Sequence, residues 1–205
     1  MAGQETTRGS VRLTTDHRPP TTGAGAASDV KAPWEIDGRK WHTQDRVAGN
    51  GRPVRWDGRI LETIVDRIEA LGKDGFAPTE WSQRGVVRIK GGDETRVAFP
   101  FFHATTSSEW VVTLRFFVPK GTFRAGAVEK LLALVPFHQV EPPVLSDLPR
   151  LRINDLGPFQ EITIVGHGLA DFETDGFNIF LKKAVAAYLG IGRKAGLKTA
   201  SELTG

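Results

Sequence analysis

Trp34, Trp41 and Trp56 lie close together in the segment P-W-E-I-D-G-R-K-W-H-T-Q-D-R-V-A-G-N-G-R-P-V-R-W-D-G-R, from Pro33 to Arg59. Arg39, Lys40, Arg46, Arg52, Arg55 and Arg59 are interleaved with them. Wide aromatic faces beside guanidinium groups can stack nucleobases, hold acidic partners, or lock a loop-rich arm onto a core. In the first two uses Trp34, Trp41, His42, Arg46, Arg55 and Trp56 form a binding face, because Trp and Arg dominate interface energetics. In the third, Trp34 and Trp56 anchor an irregular arm at residues 33–56 and the arginines snorkel. The residues alone leave both open.

A second set of residues is a pocket candidate. Trp81, Phe101, His103, Trp110 and Arg115 would combine aromatic walls with a few polar groups, the usual make-up of a small-molecule site. An acid/base role for His103 or His167 needs a partner group in reach, and none is identifiable. A satisfied histidine at the end of an element is the plainer expectation for His103 and His138. His167, Asp171 and Glu173, with Asp175, could offer nitrogen and oxygen ligands from one face of an extended segment. Without a second histidine the pattern is weak for a metal. Acids ahead of a helix also suit its N-terminal dipole, and Thr174 or Asp175 can cap it. No metal or cofactor is expected.

Other chemistries are missing from the sequence. With no cysteine there is no disulfide, thiolate zinc site or cysteine nucleophile. No G-x-x-x-x-G-K-[ST] loop, no G-x-G-x-x-G after a strand and no G-x-S-x-G elbow occurs.

The elements that must position these residues follow from periodicity. Ile60, Leu61, Ile64, Val65, Ile68 and Leu71 recur at helical spacing and predict a helix over 57–71, with Asp57 as N-cap and Gly72 as C′ residue. Strands are expected at Val86–Lys90, Arg96–His103, Trp110–Val118, Leu151–Ile153 and Glu161–Val165. Pro100 argues for an edge or bulge in the second of these. Helices are expected at 123–135 and 174–189, the latter burying Phe177, Phe180, Leu181, Ala184, Val185 and Tyr188. The order predicts an α+β fold: an antiparallel or mixed sheet of about five strands with three helices. The ordered domain would span 33–190. Residues 1–32 read as a disordered leader and 191–205 as a flexible basic tail.

The formal charge is +3. Residues 34–189 carry 20 basic and 20 acidic residues, so the excess sits at the ends. A neutral core lacks the broad basic field of a domain that grips DNA mainly through phosphates. Within it, 141–175 is acidic, with seven acids against Arg150 and Arg152. That region could offset the arm internally or dock a basic partner protein. No apolar run reaches the roughly 20 residues of a membrane span, and no secretory signal opens the chain, so a cytoplasmic location is expected.

The blocks Trp34–Val47, Gly51–Leu61, Thr79–Val87 and Glu109-Trp110 resemble the C-terminal extension that follows the ATPase modules in some bacterial UvrA proteins, the ATPase component of excinuclease ABC. There a W-x-x-D-G-[RK]-x-W-H-T-x-D-R-V block precedes G-[RK]-P-x-[RK]-W-x-G-R-I-L. The resemblance covers about 34–189. The ATP-binding signatures and zinc-binding cysteines of UvrA are absent. It therefore implies a non-catalytic accessory module of nucleotide excision repair, with a UvrA-like ATPase or DNA as partner, and it carries over no catalytic residue.

Overall fold

The apolar stripe expected on the first long helix holds as far as Ile68: Ile60, Leu61, Ile64, Val65 and Ile68 are all fully buried, whereas Leu71 in the last turn is exposed. They lie on α3 (Arg59–Gly72), which packs with α5 (Asp175–Ser201) against one face of a sheet. The computed structural model describes residues 30–92, 100–140 and 143–201. The chain from Lys31 onward forms one compact unit.

The sheet has six antiparallel strands in the order β1-β2-β3-β4-β6-β5. These are β1 (Glu80–Gln83), β2 (Val86–Ile89), β3 (Phe102–Thr105), β4 (Val112–Pro119), β5 (Leu151–Leu156) and β6 (Phe159–Gly166). Alternation sorts the side chains. Val87, Ile89, Phe102, Ala104, Leu114, Phe116, Ile162 and Ile164 join the core with α3 and α5. Phe116, Phe177 and Phe180 meet edge to face there, with Phe116 and Phe180 centroids 5.2 Å apart. The helix α4 (Ala125–Leu132) closes the core with Val128 and Leu132. At Gly176 any Cβ would collide with the Leu131 carbonyl, so glycine sets how closely α4 and α5 approach.

The structure corrects several expectations. Among the described residues there are six strands because Glu80–Gln83 pairs with β2 through the turn at Arg84-Gly85. The strand expected at 96–103 begins only at Phe102, after Pro100, which has no N–H for a ladder; positions 96–99 lie outside the described residues. The arm is not irregular at its start. It holds two short helices, α1 (Pro33–Ile36) and α2 (Gly38–Thr43). Pro33 stands at the first helical position, and the Asp37 carboxylate accepts the Lys40 N–H at 2.9 Å as N-cap. At α3 the N-cap is Gly58, while Asp57 accepts the Arg59 N–H. Gly72 ends that helix under the Phe76 ring, and it is Lys73 that takes a positive φ, of 43°.

α4 stops earlier than expected, at a left-handed Ala133. α5 is capped by Thr174, whose hydroxyl accepts the Phe177 N–H at 3.1 Å. It continues to Ser201. Once a packed nucleus exists, extension through Ala, Lys and Leu residues adds one hydrogen bond per residue ordered. The 1–32 leader lies outside the described residues up to position 29, and Val30–Ala32 have no regular structure. No described helix is long and apolar enough to cross a membrane.

Candidate functional site

The tryptophan-rich arm folds inward. Trp41 (8 % exposed), Arg46 (4 %), Trp56 (3 %) and His42 (0 %) are buried, so they do not form the exposed face that their residue types suggested. The cause is satisfaction of polar groups from within. The Trp41 indole N–H donates to the Arg84 carbonyl at 3.0 Å, and the Trp56 indole N–H to the Ser108 carbonyl at 3.1 Å. Every indole other than Trp56 carries an arginine of this same chain on its face. Arg84 lies 5.5 Å from Trp34, Arg46 5.3 Å from Trp41, Arg39 5.8 Å from Trp81 and Arg55 4.4 Å from Trp110.

His42 sits at the centre of a closed relay. Its Nε2 is 2.8 Å from the Gln83 carbonyl, which can only accept, so the proton resides on Nε2. Nδ1 then accepts from the Thr106 hydroxyl at 3.1 Å. The Arg46 Nε–H donates to that hydroxyl at 2.9 Å and to the Thr106 carbonyl at 3.0 Å. Burial, with a smaller contribution from the Arg46 charge, holds the His42 pKa down at about 4. Burial likewise lowers Arg46 to about 10. His42 is therefore a neutral structural hinge-pin between α2 and the β1–β2 edge. Arg55 is exposed, but it is paired with Glu109 at 3.0 Å, and Asn50 binds the same carboxylate at 2.8 Å. The Asn50 hydrogen bond leads the lowering of the Glu109 pKa.

The expected pocket does not assemble. Phe101 is fully buried in the core. Trp81 packs beside His42 with centroids 6.1 Å apart, and Trp110 is covered by Arg55. Only His103 and Arg115 share a surface. The residues of the metal candidate are engaged elsewhere. His167 Nδ1 lies 2.7 Å from the Trp110 carbonyl, Asp171 pairs with Arg150, and Glu173 is exposed. Among the described residues no group of three metal-ligating side chains converges. His138 lines a cleft of about 560 Å³ in the proline-rich connection, together with Phe137, Leu145, Leu148 and Arg150. Another cleft of about 540 Å³ lies between α3 and α5, around Arg67, Leu71 and Ile179. Neither contains His103.

What the fold does bring together is a row of cations on the sheet face opposite the helices. Cross-strand register aligns Arg88, His103, Arg115, Thr163 and Arg152 on β2, β3, β4, β6 and β5. Directly paired residues place their Cβ atoms roughly 5 Å apart. Arg88, His103 and Arg115 are half-buried and Arg152 is exposed, while Thr163, between Arg115 and Arg152, is fully buried. The Arg115 guanidinium donates to Thr105 at 3.0 Å. Among the described residues, Arg88, Arg115 and Arg152 form no ion pair, whereas Lys90 beside them pairs with Glu80 at 3.5 Å. His103 Nε2 is shielded from water with no hydrogen-bond partner among the described residues. Burial, then the charges of Arg115 and Arg88, hold the His103 pKa down at about 4, against a smaller upward pull from Glu161. Sequence reasoning singled out His103 and Arg115 but not Arg88 or Arg152. The period-two pattern in V-V-R-I-K and L-R-I places both off the core face, but only the strand register aligns them.

Comparison of the chain with protein-family models, curated proteins and solved structures finds no match.

Proposed function

We propose that this chain is a non-catalytic binding module that works beside a UvrA-type excision-repair ATPase and meets nucleic-acid phosphates with the cationic face of its sheet. The observation that carries this reading is the Arg88–His103–Arg115–Thr163–Arg152 row. Strands lie about 4.8 Å apart, so the row spans about 19 Å, the rise of five or six nucleotides of one strand at about 3.4 Å each. Three arginines without carboxylate partners among the described residues leave donors free for phosphate oxygens. The link to excision repair rests on the resemblance of Trp34–Val47 and Gly51–Leu61 to the UvrA extension. Those blocks build the packed arm, which makes them a signature of this fold rather than of its contact surface.

Fluorescence anisotropy with labelled single-stranded and duplex DNA over a salt series tests the contact. Three phosphate contacts give a slope of log K against log salt of roughly −2 to −3. The triple variant Arg88→Gln, Arg115→Gln, Arg152→Gln should abolish most of it. No binding at low salt defeats the nucleic-acid contact. Size-exclusion chromatography with a bacterial UvrA tests the partner, and separate elution at micromolar concentration removes that part of the reading.

A further inference from the structure

The centre of the cationic row is more specific than a charged surface. We propose that Arg88, His103 and Arg115 form a discrete site for a single phosphate group, in which His103 donates a ring N–H to the bound anion. This deepens the module reading and rests on it only for the source of the phosphate.

Three observations converge. First, the register places His103 directly between two arginines on neighbouring strands. Arg88 and Arg115 are thus two strand spacings apart, about 10 Å at their backbones. Two long side chains over that gap can close on one tetrahedral anion from opposite sides. Second, Arg88 and Arg115 set two like charges on one face, on either side of His103. Among the described residues no carboxylate pairs with either arginine to relieve that repulsion. Glu161 on β6 is the nearest acid that acts on His103, and its Oε1 accepts the Thr163 hydroxyl at 3.1 Å. Glu80 stands opposite Arg88 in the β1–β2 register but lies 3.5 Å from Lys90, through an Oε2 that, like His103 Nε2, has no hydrogen-bond partner among the described residues. Third, His103 Nε2 is a shielded polar atom with no partner among the described residues. The contrast is His42, where burial is at least as severe but both ring nitrogens are bonded. A polar atom left unsatisfied in a fold that satisfies its other buried histidine points to a ligand. A phosphate oxygen supplies the missing acceptor, and its charge draws a proton from solvent onto the ring.

The groups facing His103 are Arg88 from β2, Arg115 from β4 and Glu161 from β6, so the net surroundings are cationic and the free ring stays neutral. Bound anion inverts that balance.

The experiment follows the His103 ring nitrogens by NMR in the full chain while sulfate, inorganic phosphate or a short oligothymidylate is added. Sulfate remains a dianion across the His titration range, so any pH dependence belongs to the protein. The expected result is a His103 midpoint that climbs from about 4 toward the ordinary value of about 6.5 as sulfate saturates. Arg115→Gln and, independently, Arg88→Gln should each weaken sulfate roughly tenfold with the fold intact by circular dichroism. Lys183→Gln, on the helix side of the sheet, should change nothing. His103→Gln should bind sulfate with no residual pH dependence. A His103 ring unmoved by saturating anion, or arginine variants that bind like the parent, overturns the site. If DNA binds with its salt slope intact while His103 does not respond, this site is wrong and the module reading survives. If sulfate and phosphate shift His103 but oligothymidylate does not, the site stands for a free phosphate or phosphomonoester, and the nucleic-acid reading falls.

Discussion

The arm and the sheet face both set basic side chains beside a histidine, yet they end in opposite physical states. In the arm, Arg46, Thr106, His42 and the Gln83 carbonyl form a chain in which the described ring and guanidinium contacts are matched. On the face, Arg88, His103 and Arg115 stand in register with one ring nitrogen unsatisfied and no acid paired to the arginines among the described residues. Only Arg46 and Trp41 pair locally; the other three arginine–tryptophan pairs join the arm to Trp81, Arg84 and Trp110, so these contacts dock the arm onto the sheet edge. Residues brought together by strand register on the sheet face have no such docked segment over them to supply partners. The dense, conspicuous motif therefore holds the fold, and the dispersed set keeps its arginines without ion pairs among the described residues.

Experiments can break this contrast. The largest effect should come from Trp56→Ala, which removes a buried indole from the main core; about 3–5 kcal/mol of stability is expected from chemical denaturation. An arm that merely rested on the surface would lose under about 1 kcal/mol.

Acid should come next. The folded-state pKa values of His42 and His103 are lowered to about 4, below the ordinary value of about 6.5. Between those values the unfolded chain binds more protons, so their stabilisation is complete above about pH 6.5 and is lost as pH falls toward 4. His42, being fully buried, should supply most of it, on the order of 2–3 kcal/mol. Melting curves of His42→Gln should show a flatter acid limb than the parent. Equal limbs would refute the relay.

Thr106→Val opens the relay at its middle while preserving shape. It strands the Arg46 Nε–H in part and leaves His42 Nδ1 without a donor, so about 1–3 kcal/mol is expected. His103→Gln on the sheet face should cost under about 1 kcal/mol, because no bond to its Nε2 is broken there. If the two substitutions cost the same, the distinction between a satisfied and an unsatisfied histidine is wrong.

The smallest effect concerns the α3 terminus. Lys73→Gly should stabilise by up to about 1 kcal/mol, since Lys73 adopts a positive φ that glycine tolerates freely. A lowered midpoint in denaturant would show that the Lys73 side chain contributes more than its backbone costs.

Several features were legible in the amino acids alone. The stripe of α3 as far as Ile68, the inward residues of α5 and the central strand within W-V-V-T-L-R-F-F-V follow from periodicity and composition, because burial of an apolar face is a local pattern with a fixed repeat; Thr174 is one of the two caps, with Asp175, that the residues allowed. The α+β class follows from their order. Element ends were less legible. Gly72 carries the signature of a helix stop, but packing under Phe76 moved the positive φ on to Lys73.

Residue types also showed that the arm is dense in aromatics and cations able to pair, although three of the four pairs it makes reach Trp81, Arg84 or Trp110 outside it. Whether those pairs face water or the interior was decided by tertiary structure, through carbonyls at Gln83, Arg84 and Ser108 that lie far along the chain from the groups they accept. The same holds for the cationic row. Alternation put Arg88, His103, Arg115 and Arg152 off the core face, but their alignment is a matter of strand order and register. A shift of one residue in any pairing would turn that side chain into the core, and no single strand encodes its neighbour's register.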